Sequence, residues 1–174
     1  DCILKGMSTK ASEKAEDFLI NLGVNVWKNL RVLDYDGKIV TTSGQDHFKA
    51  ETVIWAAGVQ GEMIDGLHAE CVIERAARIK VNEYNQVLSH PNIYAIGDVA
   101  CMASEEKPYG HPMMAQPAIQ QGRLVAKNIL AKLFNKTLKA FFYNDKGSMA
   151  TIGRNKAVVD LPKWKFQGVF AWFV

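Results

Sequence analysis

Residues 92–100 read NIYAIGDVA, an apolar, strand-forming run that breaks at Gly97-Asp98. A short way on, residues 111–134 read HPMMAQPAIQQGRLVAKNILAKLF, with Pro117 and the glutamines Gln116, Gln120 and Gln121 at the front of an amphipathic helical pattern. Asn92–Ile96 predicts a strand buried in a sheet. Open α/β sheets place their ligands outside the carboxyl ends of the strands, so a strand closing on glycine and aspartate is well sited to meet one. The expected fold class is therefore α/β.

Working outward, ETVIWAAG at 51–58 is apolar without alternation from Val53 to Ala57 and stops at Gly58, which suits a second strand buried on both faces. Ser8 or Thr9 can cap a helix whose stripe is Ala11, Ala15, Phe18, Leu19 and Leu22, ended by Gly23. VNVW at 24–27 predicts a strand, and LRVLDYDGKIVTT at 30–42 predicts two strands joined at Asp36-Gly37. Ile79–Val81 predicts a short strand followed by a turn at Asn82–Asn85, and residues 112–134 a helix, with Lys136–Ala140 leading out of it. FFYNDKGSMATIGRNKAVVDL at 141–161 alternates like two strands around turns at Asp145–Gly147 and Gly153–Asn155.

The 174 residues are 48% apolar and 22% charged, and 21 basic against 18 acidic residues leave a formal charge of only +3. No Lys/Arg cluster interleaved with aromatics provides a phosphate-tracking groove, so nucleic acid is not an expected partner. Cys2, Cys71 and Cys101 are widely spaced and match neither a redox pair nor a zinc pattern, which predicts reduced, buried thiols. His47, His68, His90 and His111 define no metal site. No signal peptide is evident, and no apolar run approaches the ~18 residues of a membrane span. DCILKGMS at the start and GVFAWFV at the end look cut, as in a piece of a longer protein.

The chemistry concentrates at the two opening stretches. Gly97 lets the backbone come close to a ligand, and the Asp98 carboxylate can accept hydrogen bonds from ribitol or ribose hydroxyls. Pro117 fits the first helical position, with Gln116 as the cap, so the free N–H groups and positive dipole end face what lies ahead. A flavin fits there, because its reduced ring carries negative charge near N1 and the C2 carbonyl. Ala118, Gly122, Val125, Ile129 and Leu133 form the expected core-facing stripe. Gln116 and Gln120 share a face, with Gln121 about 100° round, and neutral amides can donate to the two oxygens of a quinone. The plain alternatives are an ordinary turn at Gly97-Asp98 and a solvated glutamine face.

TVIWAAGV, NIYAIGDVA, HPMMAQPAIQQG and SMATIGRNKAVVDL together resemble the C-terminal half of the type II NADH dehydrogenases, single-chain FAD enzymes with two Rossmann-like dinucleotide-binding domains. AIGD and the AAG turn occur across that superfamily, whereas AQ-x-A-x-QQG, here Ala115–Gly122, is characteristic of the type II enzymes. The resemblance implies that Gly97 and Asp98 bind the ribityl part of FAD. It implies that Ala115, Gln116, Pro117 and Ala118 meet the isoalloxazine, and that Gln116, Gln120 and Gln121 border a quinone pocket for menaquinone or ubiquinone. Ala57 and Gly58 would lie near the nicotinamide of NADH. Residues 1–75 would complete the NADH-binding domain, 76–134 return to the FAD-binding domain, and 135–174 form a C-terminal α+β and membrane-anchor region.

In that family NADH passes a hydride to the flavin and a quinone is reduced without proton pumping. The tail LPKWKFQGVFAWFV, with Lys163 and Lys165 flanking Trp164 and with Phe166, Phe170, Trp172 and Phe173, suits either a buried core helix or the start of an amphipathic helix at a membrane interface, and the resemblance favours the second. It would attach residues 163–174 to the cytoplasmic face of the cell membrane, the piece itself being soluble, and a homodimer is compatible. The G-x-G-x-x-G loops that anchor FAD and NADH are missing, so the chain by itself is expected to hold neither dinucleotide tightly and to be inactive. The rivals are a soluble FAD-dependent pyridine nucleotide oxidoreductase acting on a disulfide, a peroxide or a ferredoxin, and a non-catalytic folded piece.

Overall fold

A computed structural model describes residues 2–44, 46–62, 64–67, 69–73, 75–162 and 164–173. His68, Lys163 and Val174, which entered the metal and membrane expectations, lie outside the described residues. The chain divides into two compact units, Asp1–Ala56 with Lys146–Val174, and Ala57–Asp145.

The first unit opens with helix α1, Thr9–Asn21, capped as expected by Ser8, whose hydroxyl accepts the Ala11 N–H at 3.4 Å. The cap is itself held, because the Asp160 carboxylate accepts both the Ser8 N–H (2.5 Å) and its hydroxyl (2.8 Å). Ala11, Ala15 and Phe18 form the buried stripe, joined by Ser12, while Leu22 stays half exposed. Strands β1, Val32–Tyr35, and β2, Ile39–Thr42, form the antiparallel pair expected around Asp36-Gly37. The Asp36 carboxylate accepts the N–H groups of Ile39 and Lys38 at 2.7 and 2.8 Å, and these bonds hold its pKa below the usual carboxylate value. A third strand, β3, His47–Lys49, adds to the far edge. At three residues it is too short to show a period in the sequence.

Two expected strands are absent. Residues 24–27 form none, and 53–57 form none either, with Ile54 87% and Trp55 69% exposed. Burial of such a run on both faces requires ladder neighbours, and no described strand pairs with it.

The second unit carries β4, Val72–Ile73; β5, Arg78–Lys80; β6, Gln86–Val87; β7, His90–Tyr94; β8, Ala100–Cys101; and helix α2, Ala115–Leu133. β5 and β8 run parallel, with Ile79 opposite Ala100, and β4 pairs antiparallel on the other side of β5. Cys71, Ile79, Val81, Val87, Ala95 and Ala100 close into one core. β7 lies two residues upstream of the expected Asn92–Ile96 strand and is not buried, since among the described strands it pairs with β6 alone and leaves Ile93 45% exposed.

The chain then returns to the first unit as β9, Ser148–Thr151, β10, Ala157–Asp160, and β11, Lys165–Gly168, in the order β11-β10-β9. Side chains alternate across β10, so Val158 packs against α1 residues Ala11, Ala15 and Phe18, while Ala157 and Val159 pack with Ala171. The tail corrects the helix reading. Residues 165–168 are a strand, with Phe166 packed beside the cluster of Ala157, Val159 and Ala171, and only the four residues of helix α3, Val169–Trp172, are helical. Phe166 between Lys165 and Gln167 follows a period of two rather than 3.6. No described helix is long and apolar enough to cross a membrane. Cys71 and Cys101 are buried as expected, but Cys2 is exposed.

Candidate functional site

α2 starts two residues earlier than its proline implied. Met114, extended at φ −144°, is the N-cap and offers no side-chain bond, which makes Pro117 the third helical residue and Gln116 the second. Proline costs no intrahelical bond anywhere in the first turn, because those N–H groups have no helical acceptor, so Pro117 does not determine which residue comes first. The Met114 N–H donates to the Pro112 carbonyl at 3.0 Å, turning the chain into the helix.

The buried face also differs from the expected stripe. Pro117, Gln121, Val125 and Asn128 face inward, whereas Ile129 and Leu133 are 41% and 71% exposed. The physical reason lies in what the buried amides bind. The Gln121 side-chain oxygen accepts the Gly97 N–H at 2.7 Å. The Asn128 amide donates to the Lys139 carbonyl at 2.8 Å and accepts the Lys139 N–H at 2.9 Å. Gln120 does the same with Asn144, at 2.9 and 3.0 Å. An amide that pairs both main-chain groups of one residue imitates a β-ladder rung, so residues 139–144 run along α2 without being a strand. The FFYN half of the expected strand pair is therefore strapped by side chains.

Gly97, at φ +69°, opens the short 3-10 turn Gly97–Val99 and lies on the first turns of α2. A Cβ on Gly97 would come within 3.1 Å of the Ala118 Cβ, and one on Gly122 within 3.4 Å of Ile96 Cδ1. The structure thus brings Gly97, Asp98, Ala118 and Gln121 together, with the Asp98 side chain exposed in the turn. Ala115 is exposed and Gln116 half-buried at the helix head. Lys132 ties the other end of α2 to β7, its ammonium donating to the Pro91 carbonyl (3.1 Å) and to Asn92 Oδ1 (2.9 Å). Ala57 and Gly58 lie in an exposed segment that belongs to no strand or helix.

Arg78 was not singled out by any pattern in the sequence. Its buried guanidinium donates to the carbonyls of Tyr109 (2.6 Å), Ala100 and His111 (3.1 Å), fixing the loop that delivers Pro112 and Met114 to the helix start. A cavity of about 350 Å³ opens there, lined by Arg78, Lys107, Tyr109, His111 and Met113 among others. The His111 ring meets Phe141 and Tyr143 edge-on, with centroids at 5.2 and 5.5 Å. Burial, then the charges of Lys107 and Arg78, push its pKa down.

The fold has a solved counterpart. An NDH2 from Plasmodium falciparum, in complex with NADH, matches 98% of this chain with a TM-score of 0.82 at 20% identity, the chain covering 51% of it. The fold is thus that of the FAD/NAD-binding flavoproteins, as the sequence led us to expect. Residues 1–122 match the model of the pyridine nucleotide-disulphide oxidoreductases, and the chain belongs to that family.

Within it, the resemblance to the type II enzymes is borne out. The chain is 31% identical over 182 residues to a type II NADH:quinone oxidoreductase of Mycobacterium tuberculosis, covering 99% of this chain and 38% of that protein. It is 31% identical over 178 residues to one from Haemophilus influenzae, covering 98% and 40%. The chain thus spans about two fifths of the length of these relatives.

Proposed function

We propose that this chain forms part of a non-proton-pumping NADH:quinone oxidoreductase that uses FAD, with the head of α2 as the place where flavin and quinone meet. The observation that carries the reading is the Gly97-Asp98 turn seated against Ala118 and Gln121 on the first turns of α2, with the Asp98 side chain exposed in the turn and Ala115 exposed at the helix start. These residues fit a flavin. Gly97 leaves no Cβ between turn and helix, the Asp98 carboxylate is placed to accept ribityl hydroxyls, and the Ala115 end of the helix offers positive partial charge to an anionic ring edge.

Bound there, FAD would supply two-electron chemistry, and the overall change is NADH + H⁺ + quinone → NAD⁺ + quinol. The Gln116 amide donates a hydrogen bond to a quinone carbonyl in this reading. Gln120 and Gln121 stand behind it as supports and not as quinone contacts, their amide groups engaging Asn144 and Gly97. Ala57-Gly58 is assigned to the nicotinamide side. By function rather than compactness, residues 1–75 belong with the NADH domain, 76–134 with the FAD domain and 135–174 with the C-terminal region.

Attachment to the cytoplasmic face of the membrane, where a lipid-soluble quinone is found, is supported by exposed Trp164, Phe170 and Phe173, at 71%, 85% and 74%, beside Lys165. An acceptor panel tests the function. The natural protein that carries this chain should oxidise NADH with a short-chain menaquinone or ubiquinone analogue faster than with a disulfide, a peroxide or a ferredoxin. No quinone-dependent rate would sink the proposal.

A further inference from the structure

We infer that Gln121 is a positioning residue, which locks the Gly97-Asp98 turn onto α2 and so fixes the Asp98 carboxylate relative to the helix head. The inference rests on the flavin reading above. Gln121 is 2% exposed and ranks with the largest fully buried side chains, so it has no surface left for a quinone. A neutral amide costs free energy to bury unless it is bonded. Its oxygen takes the Gly97 N–H at 2.7 Å, just past the end of β7 at Tyr94, where no ladder bond serves that donor.

Three contacts converge on one face of the helix. Gly97 approaches Ala118, Gln121 accepts from Gly97, and Ile96 rests on Gly122. Positions 118, 121 and 122 are spaced i, i+3 and i+4, as one helical face requires. The turn is only three residues long. Without the bond it can tilt about its ends and carry Asp98, the next residue, with it. The same rigid helix presents Ala115 and Gln116, so the bond sets the distance between carboxylate and helix head.

Asn128 supplies the control. It is an equally buried amide, at 1% exposure on the same face, but its partner is Lys139 rather than the turn. The natural protein would be stripped of flavin and titrated with FAD by fluorescence quenching, alongside thermal melts and the flavin midpoint potential. Gln121→Leu, and the smaller Gln121→Asn whose oxygen falls short of Gly97, are expected to weaken FAD roughly tenfold and to shift the potential. Asn128→Leu should lower the melting temperature and leave FAD affinity within about twofold.

Equal FAD affinity in wild type, Gln121→Leu and Gln121→Asn, with melting losses matching those of Asn128→Leu, would overturn the inference and leave the functional reading standing. A natural protein that takes up no flavin overturns both.

Discussion

Asn128→Ala is the perturbation whose consequence the structure specifies most fully. The wild-type amide makes two bonds to Lys139, of 2.8 and 2.9 Å, from a side chain that is 1% exposed. Truncation leaves both main-chain groups of Lys139 without their partner and empties buried volume beside Val125. A buried group stripped of its partner costs about 1–3 kcal/mol. Because Lys139 itself is exposed, water replaces part of the loss once the strap lifts, so the strap opens more easily by about 1–3 kcal/mol in total. That corresponds to roughly a 5- to 150-fold larger open population.

Trypsin reports on it directly, because Lys136, Lys139 and Lys146 lie in or beside the strapped segment. Where opening is fast relative to cleavage, the cutting rate follows that population. Mass spectrometry should show cleavage at Lys136 and Lys139 accelerated by that factor, while cleavage at Lys14 in α1 is unchanged. Gln120→Ala should loosen the Asn144 end more weakly, since its bonds are exposed. A fall in melting temperature with no change in cleavage between 136 and 146 would show that Asn128 is core packing and not a clamp.

Two further expectations can be read from the same geometry. Gly147→Ala drives a Cβ into the Asp160 carbonyl oxygen and to 2.7 Å from Leu161 Cα at φ +92°, whereas Gly37→Ala, at φ +95°, meets nothing within 4 Å. Urea denaturation should therefore show Gly37→Ala costing about 1 kcal/mol from backbone strain alone and Gly147→Ala at least ~2 kcal/mol more; equal costs would refute the clash at β10. His111 should titrate below the ordinary histidine value of about 6.5, because burial and then Lys107 and Arg78 favour its neutral form. The unfolded chain then binds the proton first as pH falls, so the stability His111 contributes is full above that value and is lost as pH drops through the folded one. NMR titration and melts between pH 5 and 7.5 check this, with His111→Phe flattening the acid side, and a midpoint at or above 6.5 contradicts it.

What the sequence made legible was whatever depends on local pattern. Ser8 before Ala11, Ala15 and Phe18 marked α1, and Asp36-Gly37 marked a hairpin whose loop the Asp36 carboxylate does hold. What stayed hidden depends on partners distant in the chain. Gln121 and Asn128 fall outside the expected apolar stripe because they are polar, yet each is buried to satisfy main chain, at Gly97 and at Lys139. That choice shifted the whole inward face of α2 by about one residue. Ile54 and Trp55 read as core because they are apolar, although burial needs neighbouring strands that the described residues do not provide. Arg78 carried no signal at all, since nothing in its local context shows that three carbonyls would converge on it.

If the head of α2 is where a flavin meets a quinone, Gln116→Leu in the natural protein should impair the quinone half of the reaction and spare the NADH half. Stopped-flow and steady-state rates separate reduction of the bound flavin by NADH from transfer to a quinone analogue. With Gln116→Leu, kcat/KM for the quinone should fall roughly tenfold or more while the rate of flavin reduction by NADH changes by less than about threefold. Unaltered quinone kinetics, with flavin fully bound, would contradict it.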